Sequence, residues 1–77
     1  MILHVTDVEY LCDYTLICSF NNGERRKVDL SPLLDRPAFS ELRNPEKFIQ
    51  FGLLDTILWS NGADIAPEWL LENGIPA

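Results

Sequence analysis

The chain has 77 residues, 47% hydrophobic and 23% charged; this is the make-up of one small folded domain and excludes a disordered chain. Twelve acidic residues against six basic ones leave a net charge of −6, which disfavours general nucleic-acid binding by this chain alone because phosphate backbones repel it. The start, Met1 to Asp7, lacks a positive flank and meets an acid too early for a secretion signal, and no run approaches the roughly 18 apolar residues of a membrane span.

In chain order, loose alternation over residues 2–10 predicts a first strand. Residues 14–20 alternate more clearly, with Tyr14, Leu16, Cys18 and Phe20 on one face and Thr15, Ile17 and Ser19 on the other. Asn21-Asn22-Gly23 supplies residues that tolerate positive φ in a tight turn. Glu24, Arg26, Val28 and Leu30 then alternate with Arg25, Lys27 and Asp29 on a returning strand, completing a β-hairpin. Ser31-Pro32 places a hydroxyl at a helix N-cap and Pro at the first helical position. That helix lasts about a turn, because Pro37 disfavours the α conformation at Arg36.

Asn44-Pro45 repeats the start signal, Phe48, Ile49 and Phe51 give an apolar stripe, and Gly52 is the expected stop. Leu53 to Trp59 predicts another strand, turned by Asn61-Gly62. The last helix begins at Pro67, with Ile65 packing on Leu70 as a hydrophobic staple. Gly74 is expected in a left-handed conformation after its end, folding Ile75 back onto Leu70. A helix of about seven residues is unstable alone and must dock on the sheet. The fold class is therefore α+β: a small antiparallel β-sheet with an N-terminal β-hairpin meander and two or three short helices packed on it. Residues 1–77 are expected to form that single small α+β domain, with no separate helix-turn-helix domain.

The linear pattern carries a resemblance. Tyr14-Thr-Leu-Ile-Cys-Ser-Phe20, Asn22-Gly23, Val28-Asp-Leu30 and Leu33-Leu34 come first. Phe39, Leu42, Asn44-Pro45, Phe48, Ile57-Leu-Trp59, Gly62, Asp64, Pro67-Glu68 and Leu70 follow. Over nearly its whole length the chain resembles the bacterial domain-of-unknown-function family 2442, whose relatives form a small α+β fold. The resemblance implies no established activity and brings no catalytic residue. It implies work beside a second small uncharacterised protein, in an arrangement like a toxin–antitoxin pair. Some relatives add a C-terminal DNA-binding helix-turn-helix, for which a chain ending at Ala77 leaves no room.

No nucleophile–base pair, metal-ligand cluster or phosphate loop stands out, so no catalytic residue, cofactor or metal is expected. His4 is the only histidine, which excludes a multi-histidine site. Cys12 and Cys18 suit neither a disulfide scaffold nor a zinc site and point to a reduced, cytoplasmic protein; Cys18, beside Leu16 and Phe20, reads as a buried inert thiol. Arg25-Arg26-Lys27 is the one basic cluster, and alternation sends Arg26 to the face opposite its neighbours. Its structural role would be a charged edge strand that discourages aggregation; its functional role, at Arg25 and Lys27, would be to dock an acidic partner segment, with nucleic acid a lesser alternative.

After Lys47 there is no Lys or Arg, while Asp55, Asp64, Glu68 and Glu72 remain, so the C-terminal third presents an acidic surface. Asp64 and Glu68 flank the last helix where negative charge meets the helix dipole favourably. Trp59 and Trp69 each serve either the core or a partner contact, since tryptophan dominates both. The expected function is a non-enzymatic protein–protein interaction module that associates with itself or a second small protein, with an antitoxin-like or regulatory role as one form. Arg25, Lys27, Trp59, Asp64 and Trp69 are its candidate contacts. The alternatives are indirect participation in nucleic-acid regulation through a complex, and a small ligand-binding or hydrolytic domain at a dimer seam.

Overall fold

In a computed structural model, which describes residues 2–77, the strands run β1 Val5–Cys12, β2 Thr15–Phe20, β3 Arg25–Asp29, β4 Gly52–Leu54, β5 Thr56–Leu58 and β6 Ile75–Pro76. Two 3-10 helices, Ser31–Asp35 and Pro37–Arg43, and the α-helices α1 Pro45–Phe48 and α2 Pro67–Asn73 fill the intervals. The main sheet is four-stranded in the order β1-β2-β3-β6, antiparallel throughout, and β4 and β5 form a separate two-stranded sheet. The α+β architecture and its N-terminal hairpin meander are thus as expected.

β1 begins and ends later than the alternation predicts, at Val5 and Cys12, and Tyr14 belongs to a turn instead of β2. Cys12 pairs with Thr15, so Asp13 and Tyr14 form a two-residue connection, and both take positive φ, 48° and 64°. That geometry matches the right-handed twist of the strands it joins. Tyr14 is a bulky residue for the left-handed region, and three contacts hold it there. Its carbonyl accepts from the Leu30 N–H at 2.9 Å, its hydroxyl donates to the Arg43 carbonyl, and its ring stands edge-on to Phe48 at 5.0 Å.

The β2–β3 turn forms as expected. Gly23 alone takes positive φ, 86°, and the Asn22 side chain accepts from the Glu24 N–H at 2.9 Å. Asn21 turns the other way and ties the N-terminal segment to the hairpin: its Oδ1 accepts from the His4 N–H and its Nδ2 donates to the Ile2 carbonyl.

Three helix signals resolve differently from the sequence. Ser31 is inside the first 3-10 helix, with Leu30 at the cap position; its N–H and hydroxyl both donate to Asp29 instead. Pro37 does end that helix, through an extended Arg36 at φ −80° and ψ 143°, but then starts a second 3-10 helix that the sequence does not announce. The helix begun at Asn44-Pro45 stops at Phe48 rather than at Gly52, which opens β4. The Asn44 cap itself is present, its Oδ1 accepting from the Glu46 N–H at 3.1 Å.

The strand expected over Leu53–Trp59 divides in two. Asp55, at φ 62°, folds Gly52–Leu54 back on Thr56–Leu58, and its carbonyl accepts from the Val5 N–H at 2.9 Å, joining this hairpin to β1. Beyond β5 the Asn61-Gly62 turn forms as expected, with Gly62 at φ 93°. Ala63–Ile65 returns alongside β5 through Trp59 N–H to the Ala63 carbonyl, 2.8 Å, and Ile65 N–H to the Ile57 carbonyl, 3.2 Å.

Helix α2 starts at Pro67 and buries Leu70, with Ile65 also in the core. Gly74 is not left-handed; its φ is −88°. Glycine is required there for space, because a Cβ would lie 2.6 Å from the Arg26 Cβ and 2.9 Å from the Val28 Cγ2. Ile75 does not return to Leu70 either. It pairs with Lys27 in β6 and is 58% exposed. β6 covers half of β3, so the basic cluster does not sit on a free edge strand.

The core lies between the inner face of the main sheet (Leu16, Cys18, Phe20, Val28) and the layer of helices and the second hairpin (Leu33, Leu42, Phe48, Ile57, Trp59, Leu70). Burying side chains of this size stabilises by about 1.5–3 kcal/mol each. Phe48, itself edge-on to Tyr10 and Tyr14, lies 5.7 Å from Trp59, and Trp59 lies 6.1 Å from Phe39. This aromatic line links the sheet to the second 3-10 helix.

Candidate docking surfaces

The five candidate contacts fall in three places. Trp59 belongs to the core: it is 4% exposed, and its Nε1–H donates to the Phe48 carbonyl at 2.9 Å. Its one polar atom is thus satisfied inside the chain, and only an edge of the indole reaches the surface. Arg25 and Lys27 point outward from the main sheet beside β6. Asp64 and Trp69 come together at a cleft between the first two helices and α2.

That cleft has a volume of about 160 Å³. Leu33, Phe39 and Ile65 are its buried apolar walls, Ala66 and the half-buried Trp69 form one lip, and Arg36 and Asp64 stand exposed around it. Local chemistry explains the placement. Leu70 turns to the core, and Trp69, one position earlier on α2, is turned about 100° away from it. Asp64 alternates with the buried Ala63 and Ile65. Arg36 sits on the extended link between the 3-10 helices, forced out by the buried Leu33, Leu34 and Phe39 on either side.

Arg36 was the residue that sequence reasoning missed. The available signal was its pre-proline position, which breaks the helix and leaves the side chain without a neighbouring turn to lie on. Among the described residues the ion pairs are Arg26 with Glu24, Arg43 with Asp35 at 2.9 Å, and His4 with Asp55 at 3.7 Å when the histidine is protonated. Arg36, Arg25, Lys27 and Asp64 are in none of them.

A second cleft of about 200 Å³ is more polar, lined by Glu41, Lys47, Gln50, Ser60, Asn61 and the edge of Trp59. Cys18 is fully buried and its thiol pKa is pushed by that burial from 9.0 up to about 12, as befits an inert thiol, while Cys12 is exposed. Among the described residues no three His, Cys, Asp or Glu side chains gather as a metal site, and no helix is long and apolar enough to cross a membrane.

The model of a family described as proteins of unknown function, DUF2442, matches residues 5–76, and the chain belongs to that family. No curated protein and no solved structure matches it.

Proposed function

We propose that this member of DUF2442 is a non-enzymatic protein-interaction module that receives a second small protein at the Trp69 cleft. The observation that carries the reading is the meeting, at one opening, of an apolar floor, a half-buried tryptophan and an arginine that forms no ion pair among the described residues. Tryptophan and arginine are among the residues that most often dominate interface energetics, from the centre of well-packed patches that become fully desolvated on binding. At about 160 Å³ the cleft compares with a cavity of about 150 Å³ that accommodates benzene. It therefore suits one aromatic or aliphatic side chain. Sites for drug-sized ligands and cofactors run from roughly 300 to 1,000 Å³, larger than either cleft.

Charge specifies what surrounds that anchoring side chain. Asp64, Glu68 and Glu72 are exposed, and no Lys or Arg follows Lys47 in the sequence. The partner is accordingly basic where it meets α2, with an acid directed to Arg36. An antitoxin-like or regulatory partnership with another small protein is the form that the family resemblance implies, and any effect on nucleic acid would then pass through the complex.

The test compares tagged wild type, Trp69→Ala and Lys27→Glu, each isolated gently from the cells that make the protein. A stoichiometric basic protein is expected with wild type and with Lys27→Glu, and at roughly a tenth of that occupancy or less with Trp69→Ala. A chain that carries nothing, or a Trp69→Ala variant that carries its partner undiminished, overturns the proposal.

A further inference from the structure

Among the described residues the outer face of the main sheet is largely exposed, and over two of its rows the charges are sorted by strand. Residues directly opposite one another across antiparallel strands share a face. The register therefore lays out one row as Glu9, Ile17, Lys27, Ile75 and the next as Asp7, Ser19, Arg25. Both acids are on β1, both bases are on β3, and the uncharged residues of β2 lie between them. Glu9, Lys27, Asp7 and Arg25 are all exposed, as is Ile75, and Ile17 is half-buried at the centre. Among the described residues none of the four charges joins an ion pair. Two strand spacings, about 10 Å, separate each acid from the base in its row. Asp29, an acid at the far end of β3, lies one row beyond, opposite Thr15, and accepts two hydrogen bonds from Ser31.

Outer faces of antiparallel sheets are commonly polar and solvated, but solvation does not require acids and bases on separate strands with an isoleucine between them. We infer that this face binds a second copy of the chain, sheet on sheet, about a two-fold axis running parallel to β2. Such an axis lays β1 of one copy over β3 of the other. Glu9 then faces Lys27, Asp7 faces Arg25, and Ile17 meets its own counterpart on the axis. A two-fold axis across the strands would set β1 on β1, acid on acid, so the charges select one arrangement. Sheets packed face to face lie about 10 Å apart, within reach of paired Glu, Lys and Arg side chains. With β1, β2 and β3 overlapping and the two-residue β6 beyond the overlap, the pair buries on the order of 1,000 Å² in total, at the lower end for a specific pair. The dimer is therefore a weak one, and the net charge of −6 on each copy opposes it at long range.

No residue of this face lines the Trp69 cleft, so the two surfaces are tested separately. Sedimentation equilibrium of the purified full chain, in dilute buffer and up to high concentration, is expected to show a monomer–dimer equilibrium. Glu9→Lys and Lys27→Glu should each raise the dimer dissociation constant roughly tenfold or more, by setting like charges opposite one another. The double variant E9K/K27E restores opposite charges and should return the constant close to wild type, whereas Trp69→Ala should leave it unchanged. All the charge variants are at exposed positions, and circular dichroism checks that each is folded. A strict monomer, a dimer indifferent to the single charge reversals, or a double variant no better than the singles overturns the inference.

Discussion

Individual residues here are constrained by space and desolvation more than by backbone geometry. Gly74 illustrates this: its φ of −88° suits any residue, yet its hydrogen faces the Arg26 Cβ on β3. Gly74→Ala should therefore destabilise the fold by about 1–3 kcal/mol through overpacking. Gly23→Ala, with φ 86° and nothing within 4 Å of its Cβ, should cost about 1–2 kcal/mol through backbone strain alone. Urea titration of both variants checks the magnitudes, and only at Gly74 should trimming a neighbour, as in Val28→Ala/Gly74→Ala, show non-additive rescue. Cys18 makes a pH prediction. Its thiol pKa rises from 9.0 in the unfolded chain to about 12 when buried, so the folded state favours the protonated form. That contribution is complete below pH 9 and is lost as pH rises from there toward 12, because the unfolded chain ionises first. Denaturant titrations should show stability falling across that window, by at most about 1.4 kcal/mol per pH unit from this group, and Cys18→Ala should lose that part of the slope.

Among the elements, those with strong period-two alternation and glycine turns were legible: β2, β3 and both Asn-Gly turns. Helix α2 was legible because Pro67 marks its start and Leu70 its buried face. What escaped was set by tertiary contacts. The Asp13–Tyr14 turn has no glycine, and Tyr14 keeps positive φ only because Phe48, Leu30 and Arg43, distant in sequence, hold it. The β4–β5 hairpin folds at Asp55, whose carbonyl bonds to Val5, and no local turn signal announces it. Short 3-10 segments lack the apolar stripe that marks longer helices, so Pro37 could be read as a stop but not also as a start. The Asn44 cap was readable and should be measurable: Asn44→Ala removes the acceptor of the Glu46 N–H and should cost about 1 kcal/mol in thermal unfolding.

At the scale of the molecule, the short chain forms one continuous core and leaves two kinds of surface, a small apolar cleft and a charge-sorted sheet face. The candidate site was half legible. Asp64 and Trp69 do meet, but Trp59 was spent on the core, where its indole N–H satisfies a carbonyl, and Arg25 and Lys27 belong to the other surface. Tryptophan fits either role by composition, and only the fold decides which one it takes. Arg36 joined the site because of a helix break whose consequence depends on where Leu33 and Phe39 are buried. The central claim is that the Trp69 cleft anchors a protein partner. It is tested most directly by calorimetric titration of the purified chain, wild type and Trp69→Ala, with the protein it carries from its own cells. A dissociation constant raised about 30-fold or more in Trp69→Ala is the predicted result, the mark of an interface anchor; equal affinity in the two titrations would contradict it.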